Sequence, residues 1–396
     1  MDAPSFADRR RHETWLDTGK TDFDGFKKAA AKRTRGYDWP LAAKVEKNIL
    51  IYDGNAARAA AKDAQARKTL MAEWADALLS GPGVIVIKNA VDDHPAIDRA
   101  TVIFETIIAA QHKSGTGGGD HFAKPGANDR IWNSLQKHCL ADPANFAAYY
   151  ASEAIIMASE AWLGPDWQMT AQLNRVNPGG AAQSAHRDYH LGFMTAARAA
   201  EFPAHVHRLS PFMTLQGAIA HCDMPLESGP TLFLPHTQNV CDGYLAFGKP
   251  EYQAHFDAHH VQLPLQKGDA VFFNPALMHA AGANRSTDIF RMANLLQVSS
   301  AFGRAMETID RIAMAKALYP ALQKASAGGL DKAAMRNAIS CTAEGYAFPT
   351  NLDRDPPVGG LAPQSQAAFM AQCLENTVSA KDFNTALDAL QAKRKS

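Results

Sequence analysis

Between about residues 167 and 300 the chain carries short runs rich in Val, Ile, Phe and Thr, at 169–177, 212–221, 231–235, 260–265, 270–273 and 291–299. Turn-forming residues separate them, and no long amphipathic helix intervenes. A parallel βαβ sheet needs a helix in each crossover, so this spacing predicts a β-sandwich or barrel. Outside the region the period changes to that of a helix. Residues 55–80 place Leu70, Trp74 and Leu78 at i, i+4 and i+8 before Gly81-Pro82-Gly83 stops the run. Further helices are expected at 95–112, 303–327, 331–344, 365–378 and 381–393, with short strands at 48–52 and 84–87. Residues 1–47 are polar and read as coil and short helices. No internal repeat is present. The expected architecture is therefore a mainly β core of jelly-roll, cupin-like type over 83–302. A helical extension at 1–82 and a helical region at 303–396 flank it.

Composition narrows the function classes. The 396 residues carry 40 Lys and Arg against 40 Asp and Glu, with 46% hydrophobic residues. That is enough apolar material for a core, and no net field draws the chain to nucleic acid or to an anionic membrane. Neither an apolar leader nor a run of 18 apolar residues occurs. Five widely spaced cysteines without a C-x-x-C pair argue against a disulfide framework or a zinc cluster. The expectation is a soluble, cytoplasmic protein whose partner is a small molecule, with the terminal helices offering surface for a homodimer.

Within the strand-rich region lies Gln183-Ser-Ala-His186-Arg-Asp188-Tyr-His190, and far downstream lies Leu277-Met-His279. On an extended segment residues i and i+2 share a face, so His186 and Asp188 can address one ion while Arg187 points away. A jelly roll can bring His279 to the same point. Two imidazoles and one carboxylate suit non-haem Fe(II) and leave coordination positions open. A helical reading, pairing His186 with His190, fails on the breakers Pro178-Gly-Gly and Gly192. His-Arg-Asp also opens the protein-kinase catalytic loop, but Phe193 stands where that motif needs Asn. The glycine-rich stretch 115–122 lacks the Gly-Lys-Ser/Thr ending of a phosphate loop and reads as a loop that could cover a substrate.

Several ordered blocks resemble the phytanoyl-CoA dioxygenase (PhyH-like) family of Fe(II)/2-oxoglutarate-dependent oxygenases. They are the entry strand 83–88, Arg175-Val-Asn177, Glu227-Ser-Gly-Pro-Thr-Leu-Phe-Leu-Pro235, Leu265-Gln-Lys-Gly-Asp-Ala-Val-Phe-Phe273, and His279 followed by Asn284-Arg-Ser286 and Arg291. The resemblance implies a double-stranded β-helix in which His186, Asp188 and His279 hold Fe(II). It also implies that Arg291 pairs with the distal carboxylate of the co-substrate 2-oxoglutarate, that Asn177 contacts the co-substrate, and that O2 is consumed. Arg285 is a rival for the anchoring role. Halogenating relatives replace the ligand carboxylate with a small residue, so Asp188 favours hydroxylation, with release of succinate and CO2.

Arg175, Tyr189, His190, Gln216 and Thr231 are the expected substrate contacts. Arg175, with His205, His207 and Arg208, points to a polar or anionic metabolite. Two other readings stay open. One is a cupin-like hydrolase or isomerase that uses Zn or Mn and no 2-oxoglutarate, in which an anchoring arginine has no job. The other is a non-catalytic binding protein on the same frame.

Overall fold

The computed structural model describes residues 14–115 and 126–395; most of the stretch 115–122 falls outside them. Its strands are β1 (Lys44–Glu46), β2 (Ile49–Asp53), β3 (Val84–Lys88), β4 (Asn128–Ile131), β5 (Gln168–Val176), β6 (Thr214–Ala220), β7 (Leu232–Phe233), β8 (Val261–Gln262), β9 (Ala270–Phe273), β10 (His279–Ala280) and β11 (Arg291–Ser299). Eight of them form one mixed sheet in the order β1-β2-β3-β9-β6-β11-β5-β4, and β10-β7-β8 form a second, small sheet. Among the described residues only β2 and β3 pair in parallel; the connection between them holds the helical segment that the alanine-rich stretch predicts.

Alternation along the strands divides the large sheet into two faces. Ile85, Ile87, Leu215, Ile219, Phe272 and Leu296 join Trp74, Phe104, Leu318 and Phe383 in one core under a layer of helices. Val84, Val86, Ala218, Val271 and Phe273 look the other way, toward Met224, Phe233 and Leu277. Trp74, Ile85 and Leu318, one from each of the three expected parts of the chain, thus share a single core.

Three expectations are corrected. The chain is not mainly β. Helices Ser134–Ala141, Pro143–Tyr149 and Glu153–Leu163 precede β5, and Ala204–Leu209 and Pro250–His259 lie between later strands. Their capping signals are in the sequence: Asp142 accepts from the Asn145 N–H, with Pro143 in the first turn. The helix expected over 55–80 is two helices, Gly54–Ala60 and Ala64–Leu79. The first ends on Ala61, and Asp63 caps the second by accepting from Ala66 N–H. Similarly, the helix expected from 303 starts at Arg311, where Asp310 accepts from Ala313 N–H. The residues before it form turns and bends, and Met306 among them lines the cavity described below.

Helix His94–Ser114 ends on Gly115 in the left-handed conformation (φ 68°), the αL stop that glycine adopts without strain. No helix among the described residues is long and apolar enough to cross a membrane.

Candidate metal centre and its cavity

The segment carrying His186 is held by one two-way bridge to β10. His186 N–H donates to His279 C=O at 2.9 Å, and His279 N–H donates to His186 C=O at 3.1 Å. This juxtaposes the two imidazoles, with ring centroids 4.6 Å apart. His186 Nδ1 lies 2.8 Å from the Ser184 carbonyl, and His279 Nδ1 lies 2.8 Å from that of Leu277. Each carbonyl selects the tautomer with the proton on Nδ1, which leaves both Nε2 lone pairs for a ligand. Both face Asp188: His186 Nε2 is 3.5 Å from Oδ1, and His279 Nε2 is 3.6 Å from Oδ2. One donor atom from each residue falls within 4.8 Å of the others, and among the described residues this is the one such group of three or more. Burial alone would raise the Asp188 pKa. In the acid range where a carboxyl titrates, the positive charge of the two protonated histidines, with the Gln216 amide, outweighs it and holds the carboxyl below its usual range.

Arg187, between His186 and Asp188, does point away from them. Its buried guanidinium donates to the carbonyls of Val240, at 3.0 Å, and Thr237. It fills the space over Gly243 so closely that a Cβ there would meet Cζ at 1.9 Å.

His186, Asp188 and His279 line a cavity of about 700 Å³ against one face of the large sheet, a size that takes a drug-sized molecule. Arg291, which opens β11, lines it as well. It is 6% exposed, and burial lowers its pKa to about 10. Among the described residues no carboxylate pairs with it. A guanidinium buried without a counter-charge costs several kcal/mol, roughly, and such a cost marks a site built for an anion. Arg285 is exposed and does not line the cavity.

Of the expected substrate contacts, Gln216 and Thr231 line the cavity. Arg175, Tyr189 and His190 do not, and neither does Asn177. Arg175 lies on the opposite face of β5 and forms an ion pair with Asp129 at 2.7 Å; Asn177 donates to the Gly126 carbonyl at 3.1 Å. The reason is parity. Asn174, three residues before Asn177, is the β5 side chain that faces inward. Tyr189 is buried and donates to Gln297, and His190 is exposed. His205, His207 and Arg208 lie away from the cavity, with His207 Nε2 2.9 Å from the Ala199 carbonyl.

Sequence reasoning missed Arg130 and Trp132 near β4, Gln183 and Gln297, all of which line the cavity. Arg130 lies 4.8 Å from the centroid of the Trp132 ring. No local signal marks these positions, because strand register across the sheet brings them in.

No curated protein matches the chain. Among solved structures it is similar to the α-ketoglutarate-dependent epimerase SnoN of nogalamycin biosynthesis, solved with Fe3+, α-ketoglutarate and nogalamycin RO. Identity is 16%, with 62% of this chain and 90% of that one covered, at a TM-score of 0.42. The non-haem carbocyclase SnoK of the same biosynthesis shows 18% identity, with 56% and 80% covered, at a TM-score of 0.38. Both are remote. The model of the phytanoyl-CoA dioxygenase (PhyH) family matches residues 64–293, over half of the chain and the whole stretch from the first core helix to β11. The chain belongs to the phytanoyl-CoA dioxygenase (PhyH) family, which depends on Fe(II) and 2-oxoglutarate.

Proposed function

We propose that the chain is a dioxygenase that hydroxylates a small polar or anionic metabolite. In this reading His186, Asp188 and His279 hold Fe(II), and Arg291 holds the distal carboxylate of 2-oxoglutarate. The large and small sheets are then the two halves of a double-stranded β-helix. The observation that carries the reading is the buried, acid-free Arg291 in the same cavity as the His-Asp-His group. A hydrolytic or isomerising metal site has no use for that cation, whereas a dicarboxylate chelating at one end needs it at the other. The donor set also fits: two neutral imidazole nitrogens with tautomers fixed by backbone carbonyls and one carboxylate suit Fe(II) with open positions.

When bound, the iron with 2-oxoglutarate and O2 supplies oxidising power, and succinate and CO2 are released. The chain itself contributes position and dryness. Val271, Phe273, Ala293 and Leu295 form an apolar wall that keeps water from the Arg291 pair and strengthens it. For the substrate there remain Thr231, Arg130 and the carboxamides of Asn174 and Gln216. Asn174 Oδ1 and Gln216 Oε1 are buried without a donor, so a substrate offering hydroxyl or amino hydrogens would satisfy them. Five free cysteines fit a reducing cytoplasm.

Anaerobic titration of metal-replete protein with 2-oxoglutarate tests the reading. The visible charge-transfer band of a chelate is expected in wild type and absent in His279→Ala. A wild type without the band, behaving like His279→Ala, would move the assignment to the cupin-like alternative.

A further inference from the structure

Tyr189 and His190, directly after the Asp188 ligand, have left-handed φ values of 67° and 43°. Non-glycine residues keep such conformations only where their surroundings impose them. Two side-chain ties flank this turn and end on neighbouring strands. The Tyr189 hydroxyl donates to Gln297 Oε1. Gln297, on β11, stands directly opposite Gln216 on β6 in the register of the sheet. Gln216 Nε2 in turn donates to Asp188 Oδ2. The ligand is thus tied through its main chain on one side and through its carboxylate on the other, and both ties end on the same cross-strand glutamine pair.

The orientation of the Gln216 amide is fixed by chemistry. Turned round, its oxygen would face the carboxylate, two acceptors in contact. Held as it is, Gln216 is 4% exposed and its Oε1 has no donor. A residue chosen for packing alone would not leave a buried acceptor empty.

We infer that Gln216, opposite in the sheet to the Gln297 that holds Tyr189, is a positioning residue that keeps Asp188 a one-oxygen ligand. With Oδ2 engaged by Gln216, Oδ1 is the oxygen offered to the metal. Coordination through both oxygens, which would take a position the co-substrate needs, is prevented. The inference rests on the Fe(II)/2-oxoglutarate reading above and goes beyond it by naming what holds the coordination sites open.

The test uses the full chain without metal, titrated anaerobically first with Co(II), a spectroscopic substitute for Fe(II), and then with 2-oxoglutarate. For Gln216→Leu, Co(II) affinity is expected to fall by about 10- to 100-fold, the range typical of lost outer-sphere hydrogen bonds. Affinity of the cobalt-loaded variant for 2-oxoglutarate is expected to fall at least about tenfold, the lower end of that range. The melting temperature of the metal-free variant should hold or rise, since a buried orphan acceptor is removed; a merely structural glutamine would lower it. Tyr189→Phe should shift both affinities in the same direction by less, and it decides the matter if Gln216→Leu does not fold. Variants that bind cobalt and 2-oxoglutarate as wild type does overturn the inference alone. A wild type that takes up no cobalt overturns the proposed function and the inference together.

Discussion

His186 and His279 exchange backbone hydrogen bonds in both directions, at 2.9 and 3.1 Å, although they lie on segments far apart in the chain. The imidazoles are thereby set side by side by main-chain geometry. Their ring orientation is then fixed by the Ser184 and Leu277 carbonyls. Nothing in this arrangement depends on the side-chain nitrogens that face Asp188, so the centre is built before any ligand arrives, and the fold and the binding function can be separated by mutation.

Arg291→Gln should show that separation most clearly. Loss of a buried, charge-assisted pair with a carboxylate is worth about 1.5–3 kcal/mol, so 2-oxoglutarate should bind about 10- to 150-fold more weakly. The protein without ligand should melt at a higher temperature, because a guanidinium 6% exposed and without an acid partner no longer has to be buried. Arg285→Gln, on an exposed residue, should leave both readings unchanged. Titration calorimetry and thermal melts of the three proteins check this.

Acid should destabilise the fold through two histidines behind the sheet. Burial pulls the pKa of His138 down to about 4 and that of His221 down to about 3. Both are depressed relative to the unfolded chain, which therefore binds more protons below pH 6.5. Their contribution is complete above that pH and is lost as pH falls toward 4 and then 3. The slope is up to about 1.4 kcal/mol per pH unit for each residue. Urea unfolding at pH 7, 6 and 5 should show the loss, and His221→Gln should flatten it. A curve for that variant parallel to wild type would count against the assignment.

Glu307 acts in the opposite direction. Its Oε1 accepts from Asn133 N–H at 2.7 Å, while Oε2 is buried without a partner. Burial raises its pKa to about 7 against the pull of the Asn133 bond, Arg130 and Lys137. With the folded value raised, stability is complete below pH 4.5 and declines as pH rises through 7. Glu307→Gln should therefore melt higher than wild type at pH 8 and equal to it near pH 4.5. An equal gain at both pH values would show that ionisation is not the cause.

Gly243→Ala tests the anchor beneath the ligands. The new methyl carbon would sit 1.9 Å from Arg187 Cζ, and Arg187 is itself buried with its donors on Thr237 and Val240. Displacing it costs about 1–3 kcal/mol by overpacking, plus the stranded donors. Chemical denaturation should register the loss, and Co(II) affinity should fall with it, because Arg187 lies between the two ligands.

Much of this was legible in the sequence. β5, β6, β9 and β11 fall within two residues of the expected runs, because β-branched and aromatic stretches bounded by turns have few other outcomes. His186 and Asp188 could be paired because spacing of two on an extended segment is a local property, whereas His279, far downstream, entered through the family resemblance. Asn177 entered through the resemblance and Arg175 as an expected substrate contact, neither from strand parity; each lies an odd number of residues from Asn174, the inward residue of β5. Arg130 and Gln297 reach the cavity through pairings across the sheet, Arg130 opposite Asn174 and Gln297 opposite Gln216. Such pairings leave no mark near either residue. The helices at 134–163 were missed although Asp142 and Pro143 announce one of them; segments of 7 to 11 residues give too few turns for a periodic pattern.

The shared core behind the large sheet changes what can be cut from this protein. A fragment limited to residues 64–293 would keep His186, Asp188, His279 and Arg291, yet it would stop at Ala293 inside β11. It would discard Leu296 and Val298 from the centre of the sheet, along with Leu318, Tyr319 and Phe383 from the layer that covers it. The stretch that matches the family is thus not a module that can be transplanted. In this chain the C-terminal residues that never approach the cavity supply the wall against which it is built.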